Sequence, residues 1–159
     1  MEDMKRNNED QANVIAPPPL LYASTFLFGL YLDSWLPLRL IPRAARSFVG
    51  GALLGIGLTT GIMAIREMRQ AGTALQPTKP TTTIIQHGPY RLTRNPIYSA
   101  FTLLYAGLAL IMNRVWPLLL LPALLRVIRI GVIEREEKYL EKKFGAEYIS
   151  YKERVPRWL

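Results

Sequence analysis

The chain has 159 residues, half of them hydrophobic, yet it carries a formal net charge of +8. It contains no cysteine and a single histidine, His87, which excludes disulfides, thiolate chemistry and a multi-histidine metal site. One domain is expected at this length, and long apolar blocks with basic residues between them fit an anionic membrane surface or an acidic ligand better than nucleic acid.

The first sixteen residues, Met1 to Ala16, are polar and mixed in charge. They lack the basic-then-apolar order of a secretory signal and are expected to form a disordered tail, ended by Pro17, Pro18 and Pro19. A single membrane domain is expected over 17–159. A helix rises ~1.5 Å per residue, so about 20 residues cross a ~30 Å hydrocarbon core. Leu20 to Leu32 is short for that and reaches spanning length only with the prolines and Trp35–Leu36, with Tyr22, Tyr31 and Trp35 as interfacial anchors.

Phe48 to Ile65 has no charge and is the clearest span, because a helix of a soluble bundle keeps one polar face. It carries Gly51-x-x-x-Gly55 and Gly57-x-x-x-Gly61 on roughly opposite faces, each of which lets a neighbouring helix approach closely. Tight packing within the chain is expected, and the pattern also permits a homodimer. Gln70 to Thr83, with Pro77 and Pro80, cannot be a regular helix and reads as a linker or a binding element. Ile97 to Met112 is the third apolar block. Val115 to Ile133 is the fourth, and the charged stretch from Ile133 to Tyr151 continues it as a helix, with Gly145 as an interruption and Pro156 as its end.

Arg66, Arg69, Lys79, Arg91 and Arg94 lie between the second and third blocks, and seven further lysines and arginines follow the fourth. The positive-inside rule places both regions in the cytoplasm. Arg39, Arg43 and Arg46 fall on the other side and oppose this, unless the first segment dips in without crossing.

Three features carry chemistry. His87-Gly88-Pro89-Tyr90 is a turn, and Arg94-Asn95-Pro96-Ile97-Tyr98 opens the third block, with Pro96 in the first helical turn and Asn95 as a helix cap. Arg126 and Arg129 share a helix face within the fourth block, where charge is costly; a lipid phosphate, a substrate carboxylate or the acidic pair downstream would each satisfy them, as would snorkelling to the interface. Glu136-Glu137 stands just past that block, either as a solvated helix face or as a receiver of an ammonium or of ribose hydroxyls.

In order and spacing, Gly88-Pro89-Tyr90, Arg94-Asn95-Pro96-x-Tyr98, Glu136-Glu137-x-x-Leu140, Phe144-Gly145-x-x-Tyr148-x-x-Tyr151 and Val155-Pro156-Arg157 resemble the signature of the isoprenylcysteine carboxyl methyltransferase family, a relative of the phospholipid N-methyltransferases. Gly72-Thr73 and Pro77-x-x-Pro80-Thr81 are similar to its prokaryotic members, so the likeness covers 71–157. It implies an all-α integral membrane protein of three to four transmembrane helices, with a cytosolic cofactor-binding cap made from a loop and the C-terminal helix. It implies an S-adenosyl-L-methionine-dependent methyltransferase acting on a lipophilic acceptor, either an isoprenylcysteine-like carboxylate or a phospholipid amine. Carried over by position, Thr82, Thr83, Ile84 and Ile85 wrap the cofactor, Tyr90 is the turn tyrosine, Arg94, Asn95, Pro96, Ile97 and Tyr98 line the cofactor, and Glu136 with Glu137 contact it. Asn95 replaces the family's histidine, and Val132 stands where its substrate arginine would, which leaves Arg129 as the substitute that meets the acceptor. A membrane lipid or sterol reductase using a nicotinamide cofactor, and a non-catalytic membrane protein, are the rival readings.

Overall fold

The structure, a computed structural model, describes residues 12–39, 42–73 and 81–158. Residues 1–11 of the expected tail, and Pro77, Lys79 and Pro80 of the expected loop, lie outside the described residues. Every regular element among the described residues is helical. Helix α1 spans Pro18–Trp35, α2 Arg43–Gln70, α3 Pro96–Ile111, α4 Val115–Ile128, α5 Glu134–Phe144 and α6 Ala146–Arg154. A 3-10 turn covers Gly88–Arg91, and a π turn, Arg129–Ile133, joins α4 to α5 without a break.

Two helices are long and apolar enough to cross a membrane: Arg43–Gln70, of 28 residues, and the continuous Val115–Phe144, of 30. The second of these contains the fourth apolar block, and α3, a 16-residue apolar helix, matches the third to within a residue at each end. At ~1.5 Å per residue α1 and α3 are about 27 and 24 Å long, just under the ~30 Å of a bilayer core. Phe48, Ile56, Leu58, Leu119 and Ile130 face outward, so the outer surface is apolar rather than charged. Their length and apolar outer faces suit a membrane setting.

Prolines start three of the helices. Pro17 is extended before α1, Pro42 before α2, and Pro96 occupies the first turn of α3, where a missing N–H costs nothing. The connection from α3 to α4 is only Met112–Arg114, closed by Asn113 at φ +52, a left-handed conformation that asparagine tolerates. Helix α2 lies against α3 through glycines. A Cβ on Gly107 would meet Gly50 O at 2.9 Å and Leu54 N at 3.0 Å, and one on Gly57 would meet Leu103 Cβ at 3.0 Å. Gly51 and Gly55 face open space, so of the two pairs expected to admit neighbours only the Gly57–Gly61 side has one among the described residues. Gly29 of α1 sits on Pro117 of α4 in the same manner. Between the pairs lies a core of Tyr22, Tyr98, Tyr105, Leu124, Ile128, Val132 and Ile133.

At the α1–α2 end Asp33, with a fully buried side chain, pairs with Arg39 at 2.7 Å and with Arg114. Two of the arginines at that end therefore serve one internal carboxylate. At the other end residues 12–16, read above as part of a disordered tail, dock on the π turn instead. The Ile15 N–H donates to Gly131 O at 3.1 Å, Arg135 donates to Asn13 O at 2.8 Å, and Val14 packs on the core. Two apolar side chains and a freed carbonyl outweigh the polar character of the rest of that stretch.

Candidate functional site

The site lies where the loop after α2, the start of α3 and the helices α5 and α6 meet. Gly88 is held at φ +54, and a Cβ there would reach Glu67 Oε1 at 2.7 Å, so both backbone conformation and space call for glycine. The 3-10 turn that follows sets Tyr90 inward. The Tyr151 hydroxyl donates to Tyr90 O at 2.8 Å, and Tyr148, Tyr151 and Val155 form a small core with Ile84, Leu140 and Phe144. Burial pushes the Tyr148 phenol up to about 12 and raises that of Tyr151 as well, so both stay protonated.

The C-terminal segment is laced to this loop. Thr93 Oγ1 and Asn95 Nδ2 donate to Arg157 O at 2.8 and 3.0 Å, and the Arg94 N–H donates to Pro156 O at 2.9 Å. Asn95 holds the position before α3 but makes no side-chain cap bond, contrary to the expectation above. Its amide is committed to the C-terminal tail, and its own N–H is taken by Thr93 Oγ1 at 3.1 Å.

The acidic pair divides its work. Both oxygens of Glu137 accept from Arg157, at 2.9 and 2.7 Å, and Arg94 stands 3.2 Å away. The bond to Glu137 holds the Arg157 guanidinium above its ordinary pKa. Glu136 has one oxygen 2.6 Å from the Tyr98 hydroxyl, which donates to it. Its other oxygen has no such bond among the described residues. Arg94 is 8% exposed at its side chain; its Nη1 is the atom near Glu137, and its Nε is buried with no hydrogen-bond partner among the described residues.

These groups surround one cavity of about 390 Å³, within the ~300–1,000 Å³ usual for small-molecule sites. Thr83, Ile84, Ile85, Tyr90, Arg94, Asn95, Pro96, Ile97, Tyr98, Glu136 and Glu137 all line it. Thr82 does not: its N–H donates to Thr73 Oγ1 at 3.2 Å and its hydroxyl to Gly72 O at 3.3 Å, which ties the loop to the end of α2. Arg129 lies elsewhere. It pairs with Glu134 at 3.0 Å and lines a second, lateral groove of about 700 Å³ with Ser99, Thr102, Leu103, Leu125, Arg126, Ile130 and Trp158. An α-helix puts residues seven apart on one face, but the π turn takes up an extra residue, which turns Arg129 and Glu136 apart by about 100°.

Tyr148, Tyr151 and Thr73 enter the sequence reading only as parts of the resemblance, with no role assigned, and Phe101, Pro18 and Pro19 have no site role there; all line the cavity. The three-residue spacing of Tyr148 and Tyr151, which sets both on one helix face, was the available signal for those two. Chemically, the cavity offers the Arg94 guanidinium, with its Nε–H unbonded among the described residues, for an anion, a carboxylate oxygen for an ammonium or hydroxyl, and apolar walls at Ile84, Ile97 and Leu140 for a ring or thioether.

The sequence profile of the phospholipid methyltransferase family matches residues 45–147. A stretch of 27 residues, 17% of this chain, is 67% identical to an uncharacterized protein of Haemophilus influenzae and covers 43% of it. The aligned part is thus less than half the length of that curated relative. No solved structure matches the chain. The family match takes in more than half of the chain, including α2, α3, α4, α5 and the loop that builds the cavity: the chain belongs to the phospholipid methyltransferase family.

Proposed function

We propose that the protein is an S-adenosyl-L-methionine-dependent methyltransferase of a lipophilic acceptor, an isoprenylcysteine-like carboxylate or a phospholipid amine. In this reading it is an integral membrane protein of three to four spans, with a single membrane domain over 17–159. The loop and C-terminal helices form a cap, and the cofactor site faces the cytoplasm. The observation that carries the reading is the cavity itself, where a buried arginine, ion-paired through Nη1 but with an unbonded Nε–H among the described residues, shares apolar walls with the Glu136 carboxylate. That donor set suits a zwitterion that also bears an apolar ring system. Arg94 takes the carboxylate of the cofactor, Glu136 its ammonium or ribose hydroxyls, and Thr83, Ile84, Ile85, Tyr90 and Ile97 its apolar parts. Glu137 holds Arg94 and the tail in place, and Tyr98 fixes the rotamer of Glu136.

The bound cofactor supplies an electrophilic methyl group on sulfur. The chain contributes alignment of donor with acceptor and exclusion of water by the cap, so no acid–base dyad is required for an acceptor that is already a carboxylate or free amine. Arg129, in the lateral groove, orients the anionic group of the acceptor. Calorimetry of the detergent-solubilised protein with S-adenosylmethionine, and separately with a nicotinamide cofactor, tests the reading. Saturable binding of the first alone supports it, and binding of the second alone overturns it in favour of a reductase. With added lipid acceptors, Arg129→Ala should lower methyl incorporation and leave cofactor affinity unchanged.

A further inference from the structure

The lateral groove holds two guanidiniums and one carboxylate. Arg126 and Arg129 project from one face of α4 and the π turn, three residues apart. Glu134 is bound to Arg129, while Arg126 has no hydrogen-bond or ion-pair partner among the described residues. The groove lies between α3 and α4, two apolar helices, where a charge that faces lipid is costly if left unneutralised. A second polar group there is also unserved: Ser99 is only 7% exposed, and its hydroxyl, on the α3 wall, has no hydrogen-bond partner among the described residues. Leu125 supplies an apolar wall, and Trp158 stands at the cap end, as an interfacial aromatic does.

We propose that this groove holds one glycerophospholipid of net negative charge, with its phosphodiester between Arg126 and Arg129, the Ser99 hydroxyl donating to a lipid oxygen, and an acyl chain lying along α3 and α4. Guanidinium forks bind phosphate in two-pronged fashion, which a zwitterionic lipid offers less well because its own cation competes. Glu134 is held by Arg129 at 3.0 Å and stands 3.6 Å from Arg157, so its charge is already offset on the cap side of the groove. This inference rests on the membrane reading above and names the lipid class that meets Arg129, but it needs no methyl transfer.

The test uses the full chain in neutral detergent, without S-adenosylmethionine. The protein is mixed with phosphatidylglycerol and phosphatidylcholine of identical acyl chains, and retained lipid is counted by native mass spectrometry. Wild type should retain phosphatidylglycerol about tenfold over phosphatidylcholine. Arg126→Gln should bring that preference close to unity, while Arg126→Lys keeps part of it. Arg66→Gln, a basic residue of α2 outside the groove, should leave it unchanged. Ser99→Ala should weaken retention severalfold with no fall in melting temperature, since the hydroxyl it removes bonds nothing among the described residues. Equal retention of the two lipids by wild type, or an unchanged preference in folded Arg126→Gln, overturns the proposal. Because no cofactor is present, that failure is separate from a failure to bind S-adenosylmethionine.

Discussion

Arg157→Gln is the sharpest probe of how the cap is held. The guanidinium donates to both oxygens of Glu137, at 2.9 and 2.7 Å, and Glu137 is only 7% exposed at its side chain. Removing one partner of a buried ion pair typically costs about 3–5 kcal/mol, because the other charge is left desolvated. Two features reduce this. Arg157 keeps 23% of its side chain in solvent, and Arg94 remains 3.2 Å from Glu137. The expected loss is then about 2–3 kcal/mol. At roughly 2–4 °C per kcal/mol for a chain of this size, the midpoint should fall by about 4–12 °C in a detergent melt. The bonds from Thr93 and Asn95 go to the Arg157 carbonyl, so the substitution leaves them intact. A double-mutant cycle with Glu137→Gln should show a coupling above about 1 kcal/mol, since contacting charges do not add. A melt within about 1 °C of wild type, or a coupling near zero, would refute the reasoning.

Gly107→Ala should destabilise the protein by about 1–3 kcal/mol, as overpacking does, because its methyl would press on the backbone of α2, whereas Gly55→Ala meets nothing and should be neutral in the same melt. Loss of melting temperature in Gly55→Ala, together with a change in particle mass, would instead reveal a partner helix on that face. Asp33→Asn should cost more than Arg39→Gln in thermal melts, since it strips two arginines of a buried partner while Arg39→Gln leaves Asp33 with Arg114. Equal effects would mean that Arg114 does not share the carboxylate. The protein should stay in the membrane pellet after alkaline carbonate extraction, on the strength of the uncharged stretch within α2; recovery in the supernatant would count against the membrane reading.

The helices were legible wherever composition alone decides. Uncharged runs mark α2, Pro96 marks the start of α3, and Gly145 marks the break between α5 and α6, where it adopts φ +53. The clustering of the Gly88–Tyr90 turn with Arg94–Tyr98 and Glu136–Glu137 was legible only through resemblance, since no local rule brings residues forty apart together. What stayed hidden depends on distant pairing or on a change of helical register. Asp33 reads as an odd acidic residue near the end of an apolar segment until Arg114, 81 residues later, is seen beside it. That pairing also accounts for Arg39, which spoke against the expected orientation. The π turn has no sequence mark beyond Gly131, yet it separates Arg129 from the cavity that Glu136 lines. Glu136 and Glu137 look equivalent in sequence, and their neighbours alone distinguish a carboxylate tied up by Arg157 from one with a free oxygen.

That difference leads to the most direct test of the proposed cofactor site. S-adenosylmethionine is titrated calorimetrically into wild type, Glu136→Gln and Glu141→Gln, with melts to confirm folding. Glu141 lies on the same helix, paired with Lys152 and away from the cavity lining. A charge-assisted hydrogen bond is typically worth ~1.5–3 kcal/mol, so Glu136→Gln should bind roughly 10- to 100-fold more weakly, while Glu141→Gln matches wild type. Equal affinity in all three, or no binding of S-adenosylmethionine to folded wild type, would contradict the assignment of this cavity to the cofactor.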